Sequence, residues 1–109
     1  MNKPLIVVNF KTYKSAMGDS ALVLAKAMDN FTDRDFRMIA VVSAFDLSTV
    51  SNSVSGVEVW SQHLDPVGKG SHTGWLEPDL ALHHGAVGTI INHAEHKVSL
   101  DHVQNLMEM

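Results

Sequence analysis

Three short stretches of this sequence gather polar side chains within a few residues of one another: Asn9-Phe10-Lys11, Gln62-His63-Leu64-Asp65 and Asn92-His93-Ala94-Glu95. Their types define a limited chemistry. A lysine offers a fixed cation for an anionic ligand. A histidine donates a hydrogen bond or moves a proton near neutral pH. A carboxylate beside them can hold the lysine in position. Thiolate chemistry and disulfides are excluded, because the chain has no cysteine. Taken alone, Lys11 is no more than a solvated lysine after a strand, and Asn-x-Lys is a weak signal. What singles it out is its place in the chain.

Each cluster closes an apolar run. Leu5–Phe10 is too short for a buried helix and reads as a strand buried on both faces. Val57–Gln62 and Ala86–Ile91 read the same way, and Phe36–Val42 adds one more strand. Helical patterns lie between them. Gly18-Asp19-Ser20 opens a helix with Ala21, Leu22, Leu24, Ala25, Met28 and Phe31 at helical spacing. Asp46–Ser53 forms a short helix with Leu47 and Val50 turned inward. Glu77-Pro78 starts a brief helix that stops near Gly85. Ser99 caps a last one, with Leu100, Val103, Leu106 and Met107 on one face. The order β-α-β-α-β-α-β-α predicts a parallel sheet with helices packed against it. In such folds the ligand site lies at the carboxyl ends of the strands, which points to Asn9, Lys11, Gln62, His93 and Glu95. The irregular stretch His63–Leu76 is long for a connection, so it is expected to be functional or part of an interface.

Composition narrows the function. At 109 residues the chain holds one modest core. Its net charge of −4 and lack of a basic patch argue against nucleic acid or an anionic membrane as partner. No apolar run approaches the ~20 residues of a membrane span. Met1-Asn2-Lys3-Pro4 leads straight into the first strand with no signal-peptide pattern, so a cytoplasmic location is expected. Protonating all seven histidines would carry the charge from −4 to +3, so solubility should depend on pH below roughly 6.5. Gly68-Lys69-Gly70 lacks the spacing of a phosphate loop. His72, His93 and His96 match no standard metal spacing, and no metal or cofactor is expected. His83-His84 read as surface residues, and Trp60 and Trp75 as packing.

The same clusters carry a family resemblance. Val8-Asn9-Phe10-Lys11-Thr12-Tyr13 resembles the Asn-x-Lys that closes the first strand of the triosephosphate isomerases. Gln62-His63-Leu64-Asp65-Pro66 and Gly70-Ser71-His72-Thr73-Gly74 resemble that family's third strand and its subunit-interface loop. Gly88-Thr89-Ile90-Ile91-Asn92-His93-Ala94-Glu95 resembles its fourth strand and histidine motif. The wording is closest to the archaeal branch, and the match runs from about Pro4 to Leu106.

The resemblance implies that residues 1–109 are the N-terminal half of a TIM barrel, a (β/α)4 unit. It implies an enzyme that interconverts dihydroxyacetone phosphate and glyceraldehyde 3-phosphate in glycolysis and gluconeogenesis, without a cofactor. His93 would polarise the substrate carbonyl as a neutral donor, held so by the positive end of a helical turn. Lys11 would steady the substrate's negative charge, with Asn9 placing it and Glu95 pairing with it. Thr73 and Gly74 would reach into a neighbouring subunit of a homo-oligomer. Ala94 replaces the usual serine after the histidine, and His96 stands where many members carry arginine. The family's base glutamate, lid and main phosphate loops belong to the other half. On this reading the chain alone is inactive and needs a C-terminal half. The alternative is a non-catalytic half-barrel that associates with itself.

Overall fold

The computed structural model describes residues 4–31 and 35–109, so Met1–Lys3 lie outside the described residues. Three strands, β1 (Leu5–Asn9), β2 (Arg37–Val42) and β3 (Glu58–Ser61), form a parallel sheet in the order β1-β2-β3. Asn9 lies opposite Val41, and Val41 opposite Trp60, so the three carboxyl ends share one rim. Among the described residues four helices connect or follow the strands: α1 (Asp19–Asp29), α2 (Leu47–Ser51), α3 (Pro78–His83) and α4 (Leu100–Met107). Short 3₁₀ turns, Lys14–Ala16 and Ala44–Asp46, precede α1 and α2.

Local chemistry sets the helix ends. The Glu77 carboxylate accepts the Leu80 N–H at 2.6 Å, and Pro78 fills the first turn, where no donor is needed. α3 stops before Gly85, which has φ +98° and packs so tightly that a Cβ there would overlap Ser51 Oγ. Ser99 Oγ accepts from His102 N–H at 3.1 Å and caps α4. Strand alternation then sorts the core. Ala40 and Val42 of β2 and Val59 of β3 pack with Ala21, Ala25 and Met28 of α1 and with Leu47 and Val50 of α2. Phe10, which follows β1, is buried among them. Burying each Val or Leu side chain contributes about 1.5–3 kcal/mol.

The structure corrects three expectations. β1 is not buried on both faces: Leu5, Ile6 and Val7 are 50%, 41% and 47% exposed. It is an edge strand, paired only with β2, and its apolar letters cannot say which side a neighbour takes. On the last helix, Leu106 is buried, but Leu100 and Met107 face solvent, as does Phe31 after α1. Leu100 sits in the first turn of α4, beyond the core's reach.

The third correction concerns Ala86–Ile91, which runs beside β3 without forming a regular strand. One parallel bridge joins Thr89 to Ser61. Ser61 N–H donates to Gly88 O, and Ile90 N–H to Ser61 O, as that bridge requires. Val87 N–H, however, donates to Val59 O, which sets Ala86 opposite Val59. Two residues, Val87 and Gly88, therefore face Trp60 alone, as in a bulge. The Trp60 indole packs directly on this point: a Cβ on Gly88 would lie 2.5 Å from Trp60 Cε2. No strand lines the segment's outer side among the described residues to straighten it.

The Cα radius of gyration is 14.1 Å. A closed domain of this length would measure about 13 Å. Among the described residues β1 is one edge of the sheet, and beside β3 only the single Thr89–Ser61 bridge continues it.

Candidate active site

The site is built at the carboxyl rim of the sheet, where β1 and β3 end and the Ala86–Ile91 segment turns away. Lys11 sits two residues past β1 in a left-handed conformation, φ +53°, which side-chain-bearing residues adopt only when held. It is held on both sides. Its N–H donates to Asn9 Oδ1 at 3.0 Å, and its carbonyl accepts from Gln62 Nε2 at 2.7 Å. Asn92 repeats the device with φ +64°, its Oδ1 accepting the Val98 N–H at 2.9 Å. Each motif's asparagine thus shapes the turn that follows it.

The Lys11 ammonium donates to Glu95 Oε2 at 3.1 Å. That hydrogen bond, with the attraction of the same carboxylate, raises the Lys11 pKa above the ordinary lysine value. The Tyr13 ring lies 5.7 Å below the ammonium and offers it a cation–π face. Glu95 also reaches His93. Its backbone N–H donates to His93 Nδ1 at 3.0 Å. A nitrogen that accepts carries no proton, so the neutral ring carries its hydrogen on Nε2 and is a donor there. His93 opens a turn, closed by His96 N–H on His93 O at 2.8 Å, and α4 begins only at Leu100.

These groups line one cavity of about 380 Å³, with walls from Asn9, Lys11, Tyr13, Gln62, His93 and Glu95. The five residues singled out from strand ends therefore converge. Thr73 and Gly74 do not; they lie exposed in the 63–76 loop, outside that cavity. Asp65 closes the loop at its neck, its N–H donating to Leu76 O and its Oδ2 accepting from Leu76 N–H, both at 2.8 Å. Five cavity residues had no assigned part from sequence: Thr12, Tyr13, His63, Ile90 and His96. The His63 and His96 rings stack at 4.1 Å, only 7° from parallel. Thirty-three residues separate them, and no local pattern announces the pairing.

The geometry can grip a small anion beside a hydrogen-bond donor. Comparison with known proteins gives the same direction. The family model described as triosephosphate isomerase matches residues 4–109. The chain belongs to the triosephosphate isomerase family. The triosephosphate isomerase of Archaeoglobus fulgidus is 38% identical over 101 residues, covering 92% of this chain and 45% of that protein. The one from Methanothermus fervidus is 36% identical over 109 residues, covering 99% of this chain and 49% of its own length. Among solved structures, the triosephosphate isomerase of Bartonella henselae superposes with a TM-score of 0.71 at 25% identity, over 85% of this chain and 39% of that one. The parallel sheet with intervening helices is therefore a portion of a TIM barrel, and the chain spans about half the length of the curated relatives it matches.

Proposed function

We propose that this chain is the N-terminal half of a triosephosphate isomerase and supplies the cation and the electrophile of its active site. Lys11 would bind the negative charge of a phosphorylated three-carbon substrate. The Nε2–H of His93 would polarise its carbonyl and stabilise the enediolate oxygen. Asn9 and Gln62 fix the backbone of Lys11, and Glu95 positions both groups. The observation that carries the reading is the double role of Glu95, whose carboxylate holds Lys11 while its N–H fixes the His93 tautomer. The proton-transferring base would come from the half of the family's length that this chain does not span. The complete protein would act in glycolysis and gluconeogenesis in the cytoplasm. No helix among the described residues is long and apolar enough to cross a membrane.

The test is an isomerase assay on the purified chain, alone and with the remaining half of an archaeal relative added in trans. Loss of a general base costs about 10²–10⁴ in rate, and loss of the phosphate loops removes binding as well. The chain alone should show no measurable turnover. Complementation should restore turnover, and Lys11→Ala or His93→Gln should abolish it. Ordinary turnover by the unaccompanied chain would refute the proposal.

Open edges favour a second reading, a half-barrel that associates with itself. Leu5, Ile6 and Val7 on β1 and Val87 beside β3 expose apolar surface at the two sides of the sheet. A monodisperse dimer by light scattering supports self-completion, whereas a monomer rules it out. Thr73 and Gly74, exposed on their loop, would serve the homo-oligomer of the completed enzyme.

A further inference from the structure

Behind the His63–His96 stack lies a second polar cluster that the isomerase reading does not use. One ring nitrogen each from His63 and His102 and a carboxylate oxygen of Asp65 lie within 4.8 Å of one another. Among the described residues no other three histidine or acidic side chains converge so closely. His72, weighed as a ligand from sequence, is engaged elsewhere, with Nδ1 on Gly68 O at 2.9 Å.

Each member of the cluster is oriented by a further contact. His102 Nε2 lies 3.0 Å from Leu64 O. A carbonyl only accepts, so Nε2 carries the proton, and in the neutral ring Nδ1 is the nitrogen with a free lone pair. Metal-bound histidines commonly donate their other N–H to a backbone carbonyl in this way. Asp65 Oδ2 is fixed by the Leu76 N–H, leaving Oδ1, which faces His63 Nε2 at 2.8 Å. The His63 ring plane is set by the stacked His96. The side chains of His63 and Asp65 are 17% and 13% exposed, so the site is shielded yet reachable.

We infer that His63, Asp65 and His102 form a binding site for a divalent transition metal of the zinc type. Two imidazoles and one carboxylate suit zinc, cobalt or nickel and disfavour magnesium and calcium, which take oxygen ligands. A tetrahedral ion needs its ligand atoms about 3.3 Å apart, so the His63–Asp65 contact opens by about half an ångström. Water fills the fourth position. The ion clips the start of the 63–76 loop to the first turn of α4, two segments that the His102–Leu64 hydrogen bond joins across 38 residues of sequence. The site shares His63 with the wall of the isomerase cavity but uses none of the residues given a part in that chemistry, and it does not depend on that reading.

The test uses the full chain, stripped with EDTA and titrated with zinc chloride by calorimetry and with cobalt by visible absorption. One equivalent should bind, with the intense d–d bands of four-coordinate cobalt, and zinc should raise the melting temperature reversibly. His102→Gln keeps an N–H for Leu64 O but removes the imidazole lone pair. It should weaken zinc binding by about tenfold or more. His63→Gln should do the same, while the surface variant His83→Ala should leave affinity unchanged; circular dichroism checks that each is folded. Absence of one-to-one zinc and cobalt binding overturns the inference. So does wild-type affinity in both His102→Gln and His63→Gln, or equal affinity for magnesium.

Discussion

Replacing Asp65 by alanine should loosen the whole 63–76 loop. Asp65 Oδ2 accepts the Leu76 N–H and Oδ1 faces His63 Nε2, each at 2.8 Å. Hydrogen bonds to a charged acceptor contribute about 1.5–3 kcal/mol each, and desolvation of the largely buried carboxylate offsets part of that. The expected net loss is about 2–3 kcal/mol. Asp65→Asn keeps an oxygen for Leu76 and should lose about 1 kcal/mol. The pH dependence follows from the same contacts. Burial opposes the charge on Asp65, but the Leu76 N–H, the His63 bond and the nearby His102 outweigh it and hold the pKa below the ordinary aspartate value. A carboxyl whose pKa is lower in the folded state stabilises the fold above its unfolded value, about 3.9, and loses that contribution as pH falls through the folded value. The gap between wild type and Asp65→Ala should thus be full at pH 5 to 6 and shrink below about pH 4. Urea unfolding followed by tryptophan fluorescence measures it, with EDTA present so that no metal contributes; Trp75 adjoins the neck of the loop. A loss below about 0.5 kcal/mol, or a gap that persists undiminished at pH 2 to 3, would refute the reasoning.

Gly85→Ala should cost about 2–4 kcal/mol in urea unfolding, from positive φ and from overlap with Ser51. Ser51→Gly should recover the steric share, and an unchanged cost in that background counts against the packing argument. Glu95→Gln should return the Lys11 pKa toward the ordinary lysine value while leaving stability nearly untouched, because the pair is exposed. A pH titration of the lysine side-chain ¹⁵N signal decides this, and an unmoved Lys11 would mean that Glu95 does not hold it. In a protein completed to the relatives' full length, Thr73→Arg should block assembly; an unchanged mass by size-exclusion chromatography would contradict the interface reading.

The legible parts of the sequence were those fixed locally. Leu47 and Val50, three apart, were readable as an inward face and are buried. Glu77-Pro78 and Ser99 announced helix starts because capping needs only neighbours. Asn9, Lys11, Gln62, His93 and Glu95 were readable because parallel strands deliver their ends to one rim. What was not legible depended on distant partners. The letters of Leu5–Val8 are the same for an edge strand as for a central one. The bulge at Val87-Gly88 packs on a Trp60 indole 28 residues away in sequence. The Nδ1 contact that orients the His93 ring comes from one backbone N–H in a turn that carries no composition signal.

The chemistry-bearing residues stand at the two open edges of the sheet. Lys11 follows β1 at one edge, and His93 and Glu95 follow the Ala86–Ile91 segment at the other. Neighbouring strands lie about 4.8 Å apart, so the first and fourth segments of a flat sheet would be separated by about 14 Å. Their ends nevertheless meet through Lys11–Glu95 at 3.1 Å, with Gln62 bridging to the Lys11 carbonyl on the way. The long Lys11 and Glu95 side chains span that gap from opposite sides of the sheet, and the site is the place where their tips meet across the rim. Its grip rests on a few hydrogen bonds across open edges rather than on a continuous ladder. Pairing both edges, by a complementary half or by a second copy, should tighten the contact between Lys11 and Glu95 before it adds any new catalytic group.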